Sequence, residues 1–208
     1  DGGGLDKAWW KDTWELFRDQ KDFRNFVIVR SLLLVSALST AFIVLLSQEV
    51  GSDITGLGLF LVASGLSALL GGRISGKFSD KSSKNTMSIG AGAASAIILL
   101  TLAAVHFGPQ TALTWILPTS FFALNLAHIL VRVARKTYIV DMAESDVRTR
   151  YVGAANTLMG IILLLVGLVS GALTMWGASP ALIFLALVGF AGVFAASRLP
   201  EVSKPAAD

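Results

Sequence analysis

The chain has 208 residues, 54% of them hydrophobic, with a net charge of +3 and a mean hydropathy of +0.69. It contains no cysteine, which excludes disulfides and thiolate metal sites. All 17 Lys and Arg residues lie outside three long apolar stretches, 31–72, 85–131 and 151–197. The positive charge therefore belongs to loops facing anionic lipid, and nucleic acid is not an expected partner.

Asp1 followed by three glycines, in place of an initiating Met, suggests a chain cut from something longer. From Leu5 to Arg18, the residues Leu5, Trp9, Trp10, Trp14, Leu16 and Phe17 share one side of a helical wheel, and Lys7, Lys11, Glu15 and Arg18 the other. Such a helix lies flat in the membrane interface. It serves either as a plain anchor or as part of a linker between two membrane domains.

A bilayer crossing takes about 20 apolar residues, so each of the three stretches reads as a hairpin of two helices. The spacing predicts spans at 26–47, 54–72, 86–105, 113–133, 152–173 and 181–196. Only Glu49 and Asp53 carry a formal charge within the stretches, as expected when a charge at a helix centre costs about 2.5 to 3.5 kcal/mol. Arg30, near the end of the first span, is expected to snorkel. The turns at 48–53, 108–111 and 176–180 hold Gly and Pro signals and no basic residue. Basic residues gather in the four other connecting and terminal segments. The positive-inside rule puts those on the cytoplasmic side, with both termini inside.

The expected fold class is an all-α, polytopic membrane bundle of six transmembrane helices preceded by an interfacial amphipathic helix. Its parts are a cytoplasmic linker over 1–24, a transmembrane domain over 25–199 and a cytoplasmic tail over 200–208. Short loops suggest a bacterial inner membrane. Helix contacts in lipid rely on small residues. Gly65 and Gly72 in the second span, with Gly160, Gly167 and Gly171 in the fifth, predict that these two helices pack most closely. Ordinary bundle packing without a moving part is the simpler role for each glycine.

After the second span comes Gly72-Arg73-Ile74-Ser75-Gly76-Lys77-Phe78-Ser79-Asp80-Lys81-Ser82-Ser83-Lys84. This segment resembles the signature loop of the major facilitator superfamily: a glycine, three residues, Asp, a basic residue, one residue, Gly and another basic residue. Gly76, Asp80, Lys81 and Lys84 match in place, while Ser83 stands where the family usually has glycine. The position between the second and third spans fits, and the Trp-rich lead-in is similar to the linker before the family's seventh helix. Arg135-Lys136-Thr137-Tyr138 and Val147-Arg148-Thr149-Arg150-Tyr151-Val152-Gly153 also resemble the segment before its penultimate helix. The chain is thus similar to a carboxy-terminal six-helix half.

That resemblance implies two halves rocking about a central site, with an amino-terminal half or a second copy of the chain as partner. It also implies a latch at Asp80, against the plainer role of neutralising Lys77, Lys81 and Lys84. In the family the first and fourth helices of each half line the cavity. This would turn Ser36, Ser39 and Thr40 of the first span, and Asn125, His128 and Arg132 of the fourth, toward a small-molecule substrate. Asn125, His128, Arg132 and Lys136 fall on one helical face by their spacing. The plain alternative is that Asn125 and His128 hydrogen-bond between helices, Arg132 and Lys136 mark the cytoplasmic rim, and Asn156 caps packing near the surface.

No Asp or Glu lies in a span, so proton coupling would need a carboxylate in a partner half or His128 itself. No nucleotide loop, carboxylate pair, metal-ligand pair or activated nucleophile is evident, so neither an enzyme, a cofactor nor a metal is expected. Two functions remain: a secondary transporter of a small solute, or a non-transporting membrane assembly subunit that keeps the fold. The first is favoured.

Overall fold

The computed structural model describes residues 7–33, 35–51, 54–142 and 145–202; the side chains of 7–12, 35–36, 54–55, 142 and 145–151 lie outside that description. Among the described residues the chain forms eight α-helices, one 3-10 turn and no strand. The helices are α1 (Lys7–Asp19), α2 (Lys21–Leu33), α3 (Val35–Glu49), α4 (Ile54–Ser79), α5 (Ser83–Phe107), α6 (Gln110–Met142), α7 (Ser145–Leu173) and α8 (Ala178–Ala196), with the short turn Thr174–Trp176 before α8. Six segments are long and apolar enough to cross a membrane, α2 and α3 together making the first.

The helices outrun the apolar stretches that announced them. The first crossing starts at Lys21, and α6 continues to Met142 beyond the expected end at 133. Most consequentially, α4 runs through Gly72 and Gly76 to Ser79, so Gly76 is a helical residue and the expected loop shrinks to a turn around Asp80. A glycine inside a helix costs about 1 kcal/mol relative to Ala, which two glycines do not make prohibitive where no proline interrupts. The Ser75 hydroxyl closes back on the Gly71 carbonyl. The turn is held by Asp80 N–H to the Gly76 carbonyl at 3.0 Å, and Ser82 caps α5 by accepting from Asn85 N–H at 3.1 Å. Ser83 opens α5 as a helical, buried residue and so does not need the glycine usual in the family.

Two apolar clusters fill the bundle. At the end where the basic residues gather, Phe23, Phe26, Met87, Val131, Tyr138, Ala155 and Leu199 pack together, and Leu16 of α1 joins them. Thr13 and Leu16 face inward, whereas Trp14 is 60% exposed and stacks on Phe17; Leu5, Trp9 and Trp10 of the expected amphipathic face lie outside the described side chains. At the opposite end Ile43, Leu46, Phe60, Ile98, Leu117 and Leu182 form the second cluster. There the Glu49 carboxylate at the close of α3 accepts from the Ala178 N–H at 2.9 and 3.1 Å. It caps α8 from another part of the chain, where the positive end of the helix dipole favours an anion.

The close approaches between helices are not where the glycine count pointed. A Cβ at Gly71 would lie 2.8 Å from Ile129, one at Gly90 2.9 Å from Val131, and one at Gly192 3.0 Å from both Leu32 and Leu33. A Cβ at Gly189 would collide with the Ser95 hydroxyl. Gly65, Gly72, Gly160, Gly167 and Gly171 instead face open space, and among the described residues the second and fifth spans do not form the expected tight pairing. The physical reason is placement: α4 leans on α6 and α7 on α2 and α8, leaving both at the margin. Of the most apolar stretch of α7 only 6% is buried, against 39% for α8.

Candidate functional site

At the basic end α2, α6 and α7 converge. One turn before Arg30, the ring of Phe26 stacks on Tyr138 of α6 with centroids 5.0 Å apart and planes 9° apart. The Tyr138 hydroxyl donates to the Pro200 carbonyl at 2.9 Å, pinning the segment after α8 across this end. The stack joins α2 to α6 and brings two arginines toward α7, Arg30 four residues after Phe26 and Arg135 three before Tyr138.

Neither arginine reaches solvent to any extent: Arg30 is 7% exposed and Arg135 5%. Arg30 does not snorkel as expected. Its guanidinium donates from Nη2 to Asn156 Oδ1 of α7 at 2.6 Å and lies 5.8 Å from the Phe26 ring centroid, while its buried Nε has no partner. Arg135 donates from Nε to the Val131 carbonyl at 3.3 Å and from Nη1 to the Met159 sulfur at 3.5 Å. Arg135 lies within electrostatic reach of both Arg30 and Arg132, and His128 within reach of Arg135 and Arg132. Among the described residues no carboxylate forms an ion pair with any of them.

The residues singled out from sequence are distributed as follows. Asn125 and His128 are half-buried on α6, the His128 Nδ1 being buried without a partner, whereas Arg132 and Lys136 turn outward. Ser39 is fully buried. Thr40 is half-buried, its hydroxyl donating to the Ala37 carbonyl of its own helix at 3.0 Å. The Ser36 side chain lies outside the described residues. Asp80 and Lys81 are exposed and Lys84 half-buried at the α4–α5 turn; the neighbouring Ser82 hydroxyl donates to Glu201 at 2.7 Å.

Sequence reasoning chose Arg132 and passed over Arg135, Arg30 and Asn156 as site residues. A signal for Arg135 was present: Leu124, Ala127, Val131, Ala134 and Tyr138, all buried, trace the inward stripe of α6, and Arg135 borders it. The Arg30–Asn156 pairing joins residues 126 apart in sequence and leaves no local trace.

Beside the cluster an apolar groove of about 700 Å³ runs along α7, lined by Leu38 of α3 and by Gly160, Leu163, Leu164, Gly167, Leu168 and Gly171. It starts one turn from Asn156. A second concavity, about 460 Å³, lies between α2 and α8, with Lys21, Asn25 and Arg198 above Ile28 and Phe194. The first arrangement offers fixed cationic donors next to an apolar wall, the makings of a small-solute site. No three metal-ligating side chains gather among the described residues.

No curated protein and no solved structure matches the chain. The family model of the Major Facilitator Superfamily matches residues 26–208, which takes in α3 to α8, most of α2 and every residue of the cluster. With six helices able to span a membrane and a match over most of its length, the chain belongs to the Major Facilitator Superfamily, a family of membrane transporters.

Proposed function

We propose that the chain is one six-helix half of a secondary transporter that moves a small solute by alternating access. The observation that carries this reading is the bare side of the bundle. Among the described residues nothing lies against Gly65 and Gly72 of α4 or Gly160, Gly167 and Gly171 of α7, and the groove along α7 begins one turn from Asn156 of the polar cluster. In this reading a second half, either an amino-terminal six-helix unit or another copy, lies over Gly65, Gly72, Gly160, Gly167 and Gly171. Asn125 and His128 then border the enclosed space together with Arg30 and Asn156. Membrane lipid covers exposed apolar residues such as Leu100, Leu187 and Phe194. The basic end faces the cytoplasm of a bacterial inner membrane, because the turns at the opposite end hold no Lys or Arg.

Asp80 acts as the latch. It is exposed beside the α4–α5 turn, among the described residues it holds no ion pair, and it is free to meet a helix N-terminus of the second half. Such a contact is worth about 0.3 to 2 kcal/mol. The test is uptake of labelled sugars, amino acids and small organic anions into proteoliposomes. Saturable uptake of one class is expected, with Asp80→Asn changing its rate by roughly 2- to 30-fold at equal expression. No uptake of any class, together with stable capture of other membrane proteins, would replace transport with an assembly role.

A further inference from the structure

We infer that Arg30, Arg135 and Asn156 form an oxyanion-binding site that takes the carboxylate or phosphate head of a small organic anion. As a statement about substrate, this rests on the transport reading above. An imbalance of charge marks the site. Two buried guanidiniums reach the same turn of α7, and every hydrogen bond they make goes to a neutral group: the Asn156 amide oxygen, the Val131 carbonyl and the Met159 sulfur. A buried cation is tolerated where an anion and further hydrogen bonds compensate it, and here no carboxylate among the described residues pairs with either guanidinium, Asp22 and Glu201 lying near Tyr138 without bonding to them. Glu49 caps α8 at the far end, and Glu201 accepts from Ser82.

Geometry narrows the missing partner. Asn156 and Met159 are three apart on α7 and so share a face, which lays both guanidiniums against the same turn of that helix. Each guanidinium carries five N–H donors, and the bonds above use one from Arg30 and two from Arg135. The buried Arg30 Nε is one of the donors left over. Planar forks of this kind match a carboxylate or a phosphate, which accept two parallel bonds. Asn156 is exposed, so the site has an open side. Gly160, one turn on, begins the apolar groove, which suits an apolar body behind the anionic head.

The test is binding to the full-length membrane protein purified in neutral detergent, with benzoate and inorganic phosphate as probes and benzamide as the uncharged match to benzoate. Benzoate and phosphate are expected to raise the unfolding temperature saturably, and benzamide to leave it unchanged. Arg30→Gln and Arg135→Gln should each weaken anion binding roughly 10- to 100-fold, the worth of one charge-assisted hydrogen bond. Arg30→Lys, which keeps the charge and loses the fork, should weaken it as well. Should the Gln variants fail to fold, the contrast between benzoate and benzamide in the unaltered protein still decides.

Nanodiscs of phosphatidylcholine with and without phosphatidylglycerol separate the two sources of an oxyanion. Equal benzoate binding in both identifies a soluble ligand. Displacement by phosphatidylglycerol that Arg30→Gln abolishes identifies a lipid headgroup at the same site. No anion dependence in the unaltered protein, or binding indifferent to both Gln variants, overturns the inference. Anion binding without uptake would sink the transport reading and keep the site, whereas uptake of a neutral solute untouched by the Gln variants would do the reverse.

Discussion

Two sides of the bundle use most of their glycines in opposite ways, Gly71 of α4, packed on Ile129, being an exception. On the side of α5 and α8, Gly90, Gly189 and Gly192 sit under neighbouring side chains with no room for a methyl group. On the side of α4 and α7, Gly65, Gly72, Gly160, Gly167 and Gly171 look onto empty space. In lipid there is no hydrophobic gain from hiding an apolar face, so small residues matter only where they let backbones approach. The contrast teaches that glycine spacing identifies a smooth helix face without identifying what lies against it.

Substitutions break this contrast in order of size. Gly192→Leu drives a side chain into Leu32 and Leu33 and is expected to lower stability by about 1 to 3 kcal/mol, as overpacking does; unfolding in detergent measures it. Glu49→Ala leaves the Ala178 N–H without its acceptor and should cost about 0.5 to 2 kcal/mol, the range for a lost helix cap. Glu49→Gln keeps an acceptor and should recover most of that loss, which separates the hydrogen bond from the charge. Gly167→Leu, on the bare side, should shift stability by no more than about 0.5 kcal/mol while abolishing uptake in proteoliposomes. A large stability loss from Gly167→Leu would mean that the two sides are alike after all.

The six crossings were legible because an uncharged run long enough to span a bilayer has few other readings. Their ends were not. Hydropathy marks where apolar character stops, but a helix continues while its backbone bonds do, and so α4 and α6 pass through Gly76 and Arg135 without a break. The signature segment was recognised by its residues yet assigned to a loop, because glycines ordinarily signal turns. The period put Asn125 and His128 on one face of α6, where both are half-buried. Arg30 was misread for a different reason. Snorkelling is the default for a lipid-facing arginine, and only the arrival of Asn156 from α7 makes an inward rotamer the better one. Interactions that join the first span to the fifth are set by tertiary packing and lie beyond any local pattern.

The cap on α8 has a consequence for how the protein is made. Glu49 leaves the ribosome well before Ala178, its partner 129 residues later, has been synthesised. Until then the carboxylate at the end of the first crossing waits in contact with water or headgroups. Only when α8 enters does its N-terminus meet that charge, so the first of these six crossings closes onto the sixth only after every crossing between them has been made.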